Sequence, residues 1–348
     1  MSAPARATPV AAARAAARAR RWRRPTLWGR LALLAALAAV PLVPSFQLLD
    51  LALKIAVFAA LVASYDVLIG YTGIVSFGHA MFFGFGAYGA ALAVARFGGP
   101  TWGDLGLGLA AAVGVSALVS VAIGAFSLRV KAIFFAMITL AFAEFALILA
   151  VQLGPLTGGE DGLSPRFPGA LGHRLGAYYA ICAVVTVLFA AMSRFVASPL
   201  GRVLQAIRDN ELRAEALGFR TFVYQSAASC FASVVATVLG GCYAVWVGYV
   251  NPESTLGIHI MLDILLMVII GGIGTLWGGI IGAGFLLTAQ AFLPNLRGLG
   301  AALLPGSDLA VRLTERWPLY FGILFILVVF FFPKGVVGSL RETLARRR

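Results

Sequence analysis

The chain has 348 residues, of which 61% are hydrophobic and only 12% charged, and it carries a net charge of +13. A water-soluble domain is about 25% charged, so a soluble globule is excluded and a polytopic membrane protein is expected. The positive charge does not point to nucleic acid, because the basic residues gather at the chain ends and in two loops rather than across a folded surface.

Residues 1–26 read as a disordered basic tail. Eight arginines and no acid fall within the first 30 residues, an alanine-rich composition that cannot build a core and suits anionic lipid. The apolar run 27–46 offers small residues at Ala35 to Ala39, as a cleaved secretory signal would. It is nevertheless long enough to cross about 30 Å of hydrocarbon, and another span follows at once, so it reads as the first membrane helix. Further spans are expected at 49–69, 74–97, 105–128, 133–153, 177–196, 222–250, 258–270, 277–293 and 317–332. The expected fold is therefore all-α, a membrane helix bundle of about ten segments over 27–333, closed by a basic tail at 334–348. The pieces at 258–270 and 277–293 are short, and read either as two half-spans or as one re-entrant hairpin.

With the N-terminus inside, the loops place 20 Lys and Arg on the inner face and six on the outer. Lys54 remains within a span and can snorkel. This asymmetry predicts an N-in, C-in topology. Long outer loops are expected at 154–176 and 294–316, where a ligand-delivering protein would have to dock.

One charged island, 198–220 (SPLGRVLQAIRDNELRAEALGFR), interrupts the apolar pattern on the inner side. Its periodicity is helical over about six turns: Val203, Ile207, Ala214 and Leu217 fall near one face, with Arg202, Asp209 and Arg213 mostly off it. Pro199 suits a first helical turn and Gly218 a left-handed helix end. The pattern fits either a connecting hairpin or a docking site for a partner protein.

Enzymatic chemistry has little to stand on. His79, His173 and His259 lie in separate regions, and neither HExxH nor GxSxG occurs. Cys182, Cys230 and Cys242 sit in apolar runs without CxxC spacing, as small packing residues do. Three acids fall inside spans. Asp66 and Asp263 precede glycine clusters, where a carboxylate can cap a broken helix end. Glu144 sits mid-span, either protonated, paired between helices or facing an aqueous path. The glycine-rich runs 70–91 and 269–284 allow either close helix packing or a backbone that leaves the helix to line a cavity. Gly70, Gly73 and Gly78 share their spacing with Gly271, Gly274 and Gly279, but both sets fall on the inner side. An inverted repeat needs opposite faces, so any such repeat is expected elsewhere.

Four blocks, GYTGIVSFGHAMFFGFGAY, PLGRVLQAIRDNELRAEALGF, NPESTLGIHIMLDILLMVIIGGIGTLWGGIIGA and FFPKGVVG, together resemble the LivM-type permease subunit of bacterial branched-chain amino acid ABC transporters. The resemblance covers about 49–338. It implies a non-enzymatic, multi-pass subunit of the bacterial inner membrane that forms half of a translocation pathway for branched-chain or other hydrophobic amino acids. The implied partners are a sister permease, two cytoplasmic ATP-binding subunits and a periplasmic solute-binding protein. ATP is used by partners and no cofactor is expected in this chain. Carried over by position, 199–220 becomes the ATPase-coupling element, with Gly201, Val203, Ala206, Ile207, Arg208, Asn210, Glu211, Ala214, Glu215, Leu217 and Gly218 as its residues. The translocation-path candidates are Gly73, Ser76, Gly78, His79, Glu144, Asp263, Gly271, Gly272 and Gly274. Asp66 stands where the family usually has Asn, Glu144 where Gln is common and Asp263 where Glu is common. The first two changes add charge and leave urea or short amides, or ion-coupled secondary transport, as alternatives.

Overall fold

A computed structural model describes residues 35, 37–42, 45–96, 100–127, 132–293, 317–332 and 335–339. The expected first span, both tails, the 129–131 loop and the outer loop at 294–316 lie wholly or mostly outside them. Residues 1–52 and 53–348 form two compact units. The described part of the first holds a 3-10 turn, Val40–Leu42, and the start of α1.

Apolar composition and the need to satisfy every backbone amide internally make helix the default here. The chain runs α1 (Phe46–Ile69), α2 (His79–Arg96), α3 (Trp102–Ser127), α4 (Ala132–Gln152), α5 (Arg174–Ala197), α6 (Pro199–Asp209), α7 (Glu211–Ala216), α8 (Thr221–Val247), α9 (Pro252–Leu256), α10 (Ile258–Gly271), α11 (Leu276–Phe292) and α12 (Trp317–Phe331). Among the described residues there are no strands beyond one isolated bridge. Seven stretches are long and apolar enough to cross a membrane, including Pro252–Gly271, in which α9 extends α10; α11 is a shorter apolar helix. This is a multi-pass membrane protein.

The core is the mutual packing of α2, α3 and α8. Small residues let the backbones touch: a Cβ placed on Gly240 of α8 would lie 1.8 Å from the Phe83 carbonyl oxygen of α2. Buried hydroxyls add interhelical bonds, Thr237 Oγ1 to Ser116 Oγ at 2.7 Å and Ser120 to Ser229 at 3.1 Å. Gly240→Val is therefore expected to cost about 3 kcal/mol by forcing α2 and α8 apart, read as a fall in the melting temperature of the purified subunit. An unchanged midpoint would contradict this packing.

Two expected elements differ in extent. The span expected from 74 begins as a helix only at His79, because residues 70–78 leave the helix through Gly73 at φ +77°. The helix expected to reach Val250 stops at Val247, where Gly248 turns left-handed at φ +70°. These two breaks correspond. Gly70-Tyr71 follows α1 as Gly248-Tyr249 follows α8, and Gly78 precedes α2 as Gly257 precedes α10. The two units run in opposite directions, since α1 ends where α8 begins, beside α6 and α7. The segments after α1 and after α8 thus share this local pattern while their helices run in opposite directions.

Both breaks dip into the bundle toward α2. From the α6 end, Phe77 N–H donates to Thr139 Oγ1 of α4 at 2.9 Å. From the opposite end, α9 brings Leu256 against Gly84 and joins Ala87, Tyr88, Ala150 and Val250 in one buried cluster. The loop after α4 is tied to this second break. Leu163 and Val250 bond reciprocally at 2.7 and 2.9 Å, and Tyr249 Oη donates to the Asp161 carbonyl at 2.8 Å.

Candidate functional site

The expected coupling element is two helices rather than one. Ser198 Oγ accepts from Gly201 N–H at 3.3 Å to start α6, with Pro199 in its first turn. Asn210 then leaves helical geometry, and its Oδ1 accepts from Arg213 N–H at 2.9 Å to start α7. An asparagine that can cap competes with continuation of the helix, which explains the break. Gly218 closes α7 at φ +87°, as its position predicts.

The apolar face of this element is largely occupied by the protein itself. Gly201, Leu204, Ile207 and Ala214 are buried, and Leu204 packs with Leu68, Ala228 and Ala232. A Cβ at Gly201 would sit 2.3 Å from the Val196 carbonyl oxygen, so α6 crosses the end of α5 at backbone contact. Val203 is half-buried and Ala206 exposed. Leu217, expected on one face with Val203, Ile207 and Ala214, is 71% exposed, and Leu212 is 79% exposed. Seen on its own axis after the break at Asn210, α7 points these two leucines away from the bundle.

Nor are the charges a uniformly solvated rim. Glu215 Oε1 accepts from Thr221 Oγ1 at 2.8 Å and Glu211 Oε1 from Gln225 Nε2 at 3.5 Å, pinning α7 to the first turns of α8. Arg208 reaches inward, where its Nη1 donates to the Gly70 carbonyl at the end of α1. Its side-chain carbons lie under Gly73 and its Nη1 beside Gly274, where added Cβ atoms would stand 3.3 and 3.2 Å away. Gly274, at φ +82° between α10 and α11, donates its N–H to Asp66 Oδ1 at 2.7 Å. Asp66 thus bonds to a broken helix end, as expected of it. One arginine of α6 therefore contacts both glycine breaks at this end of the bundle. A cavity of about 380 Å³ opens beside it, bounded in part by Thr72, Phe135, Arg208, Asn210 and Gln225.

The path candidates separate into five places. Gly73 and Gly274 belong to the Arg208 knot, with Gly272 at φ +105° adjoining it. Gly271 serves packing, since its Cβ would lie 2.1 Å from the Gly278 carbonyl oxygen. Ser76, Gly78 and His79 lie on the seam of α1, α2 and α4. There Ser76 Oγ accepts from Gly78 N–H at 3.2 Å and His79 Nε2 meets Ser64 Oγ at 2.8 Å. The Ser64 hydroxyl is also 2.7 Å from the Leu61 carbonyl, and buried Nδ1 of His79 has no partner among the described residues. Glu144 stands apart, half-buried on α4. Asp263 lies on the flank of α10, where its Oδ1 accepts from Gln290 Nε2 at 3.4 Å.

Sequence reasoning did not single out Ser64, Leu212, Glu253 or Gln290, and counted His259 only among scattered histidines. The Asn251-Pro252 pair, a helix start following a glycine stop, was the available signal for the dip that carries Glu253 and His259. Among the described residues no group of three His, Cys, Asp or Glu could hold a metal ion.

The profile of the family described as branched-chain amino acid transport system / permease component matches residues 47–332. The high-affinity branched-chain amino acid transport system permease protein LivM of Salmonella typhimurium is 26% identical over 306 residues, covering 79% of this chain and 70% of that protein. The protein of that name in Escherichia coli K12 gives the same figures. The probable branched-chain amino acid transport permease protein LivM of Methanocaldococcus jannaschii is 23% identical over 223 residues, 61% of each chain. No solved structure matches significantly.

Proposed function

The chain belongs to the family of branched-chain amino acid transport system permease components, and on that premise we propose that it is one membrane subunit of an ATP-driven importer. It forms half of a pathway for branched-chain or other hydrophobic amino acids in the bacterial inner membrane, with ten spans and both termini inside. A sister permease completes the pathway, two cytoplasmic ATPases dock on α6 and α7, and a periplasmic binding protein delivers solute at the opposite end. The chain itself performs no catalysis and binds no nucleic acid.

The observation that carries the coupling is Arg208. It sits on the element that leaves the bundle and contacts the breaks after α1 and after α10 together. A push on α6 is thereby delivered to two segments whose backbones are already out of helix and free to change geometry. Buried cores pass such shifts on as discrete rearrangements. Access would then switch from one face of the membrane to the other. ATP binding supplies the bias by closing the partners that hold α7.

Purification from native membranes in mild detergent tests the assembly. The tagged chain should bring with it a second permease and nucleotide-binding subunits, and the eluate should hydrolyse ATP. Elution alone, together with uptake driven by an ion gradient, would overturn the proposal. Half-buried Glu144, which makes no hydrogen bond or ion pair among the described residues, is the observation favouring that second reading.

A further inference from the structure

Resting on that reading, we infer that the lateral face of α9 and α10, from Glu253 through His259 to Asp263, walls the water-filled translocation path and faces the sister permease rather than lipid. On this face His259 Nε2 lies 3.6 Å from Glu253 Oε1, with side chains 77% and 66% exposed. One turn further along α10 comes Asp263 with Gln290. The exposed residues between them are apolar, Ile258 and Leu262.

The depth of this face decides what can cover it. Gly78 packs against Thr139, the eighth residue of α4, so α2 begins about 10 Å above the α6 end of a helix about 30 Å long. Gly84, six residues beyond Gly78, lies about 20 Å up, and Leu256 of α9 rests on it. From there α10 descends, and the chain beyond its far end meets Asp66 through Gly274. Glu253, His259 and Asp263 therefore all stand within the hydrocarbon depth, where exposed ionisable groups face water or protein rather than lipid. Other flanks are built differently. The exposed face of α3 offers Leu107, Val115, Leu118 and Val121, which suit acyl chains.

A polar stripe broken by apolar side chains fits the edge of an aqueous seam between two membrane subunits. The passing solute is zwitterionic, and Glu253 and Asp263 present carboxylates to its ammonium group while Ile258 and Leu262 meet its side chain. The occupant opposite is a membrane-spanning partner, because ionisable groups at this depth are met by protein or water rather than by acyl chains.

Cysteine accessibility in the assembled complex tests the assignment. His259→Cys and Leu262→Cys should react with a membrane-impermeant trimethylammonium methanethiosulfonate at least about tenfold faster than Leu118→Cys. The unsubstituted chain, with Cys182, Cys230 and Cys242, gives the background. Benzophenone maleimide attached at position 262 should photo-cross-link to a different permease polypeptide. Labelling at 259 and 262 no faster than at 118 would overturn the inference, as would cross-linking only to a second copy of this chain. A complex that imports solute with ATP while position 259 is inert would sink this face and leave the proposed function standing. A reactive position 259 in a complex without ATP-driven uptake would do the reverse.

Discussion

Leu212→Asp combined with Leu217→Asp is expected to lower ATP-driven uptake by at least about 30-fold and to remove substrate-stimulated ATP hydrolysis, while the amount of subunit in the membrane stays unchanged. The two leucines are the large apolar side chains that α6 and α7 leave uncovered, at 79% and 71% exposure. A pair of exposed leucines on a short, well-anchored helix can supply apolar contacts of a docking surface, where burying each is worth about 1.5–3 kcal/mol. Their loss leaves α7 in place, because it is held by the Asn210 cap, by buried Ala214 and by the bonds of Glu211 and Glu215 to α8. Ala214→Asp would be a poorer probe despite lying on the same element. Ala214 is 2% exposed, so a carboxylate there would be buried and would damage the subunit itself, confusing lost docking with lost folding. Normal uptake by the double leucine variant would remove α7 as the docking element.

Arg208→Ala is expected to reduce uptake about tenfold or more while ATPase subunits still co-purify, since the Arg208 guanidinium, on a side chain that is exposed overall, is engaged by the Gly70 carbonyl and not by Leu212 or Leu217. A charged donor to a backbone carbonyl contributes about 1.5–3 kcal/mol, and here the same side chain also spaces Gly73 and Gly274. ATP hydrolysis should continue but lose its response to loaded binding protein, the signature of a broken transmission rather than a lost partner. Arg208→Lys should restore only part of the uptake, because a lysine ammonium can reach one of these groups but not fill the planar space between both breaks. Full coupling in both variants would show that α6 acts through other contacts.

Much of the architecture is legible in the sequence because it follows from composition and from single-residue geometry. The apolar runs predict helices, and Pro199 and Gly218 mark the ends of the charged island where the structure has them. Asp66 beside a glycine cluster predicts a carboxylate on a broken helix end, and Gly274 N–H is that end. What eludes the sequence depends on competition or on tertiary depth. The periodicity from Val203 to Leu217 looks continuous, yet the capping bond of Asn210 outweighs one more turn of helix and re-aims α7. The likeness of residues 70–78 to 248–257 is hidden because the second is a loop written with Asn251 and Pro252 where the first has Gly73 and Ile74. Glu253 reads as a loop residue, and His259 as the start of a short span of unknown depth, until Leu256 is seen resting on Gly84. Exposure of a polar group at membrane depth is a property of packing, which periodicity alone does not report.

Uptake by the reconstituted complex is the most direct test of the central claim. Proteoliposomes holding this chain with its co-purifying partners, ATP inside and binding protein outside, should accumulate radiolabelled leucine with every ion gradient collapsed by ionophores, and vesicles holding this chain alone should not. Accumulation by the chain alone, or accumulation abolished by the ionophores while ATP is present, would contradict it.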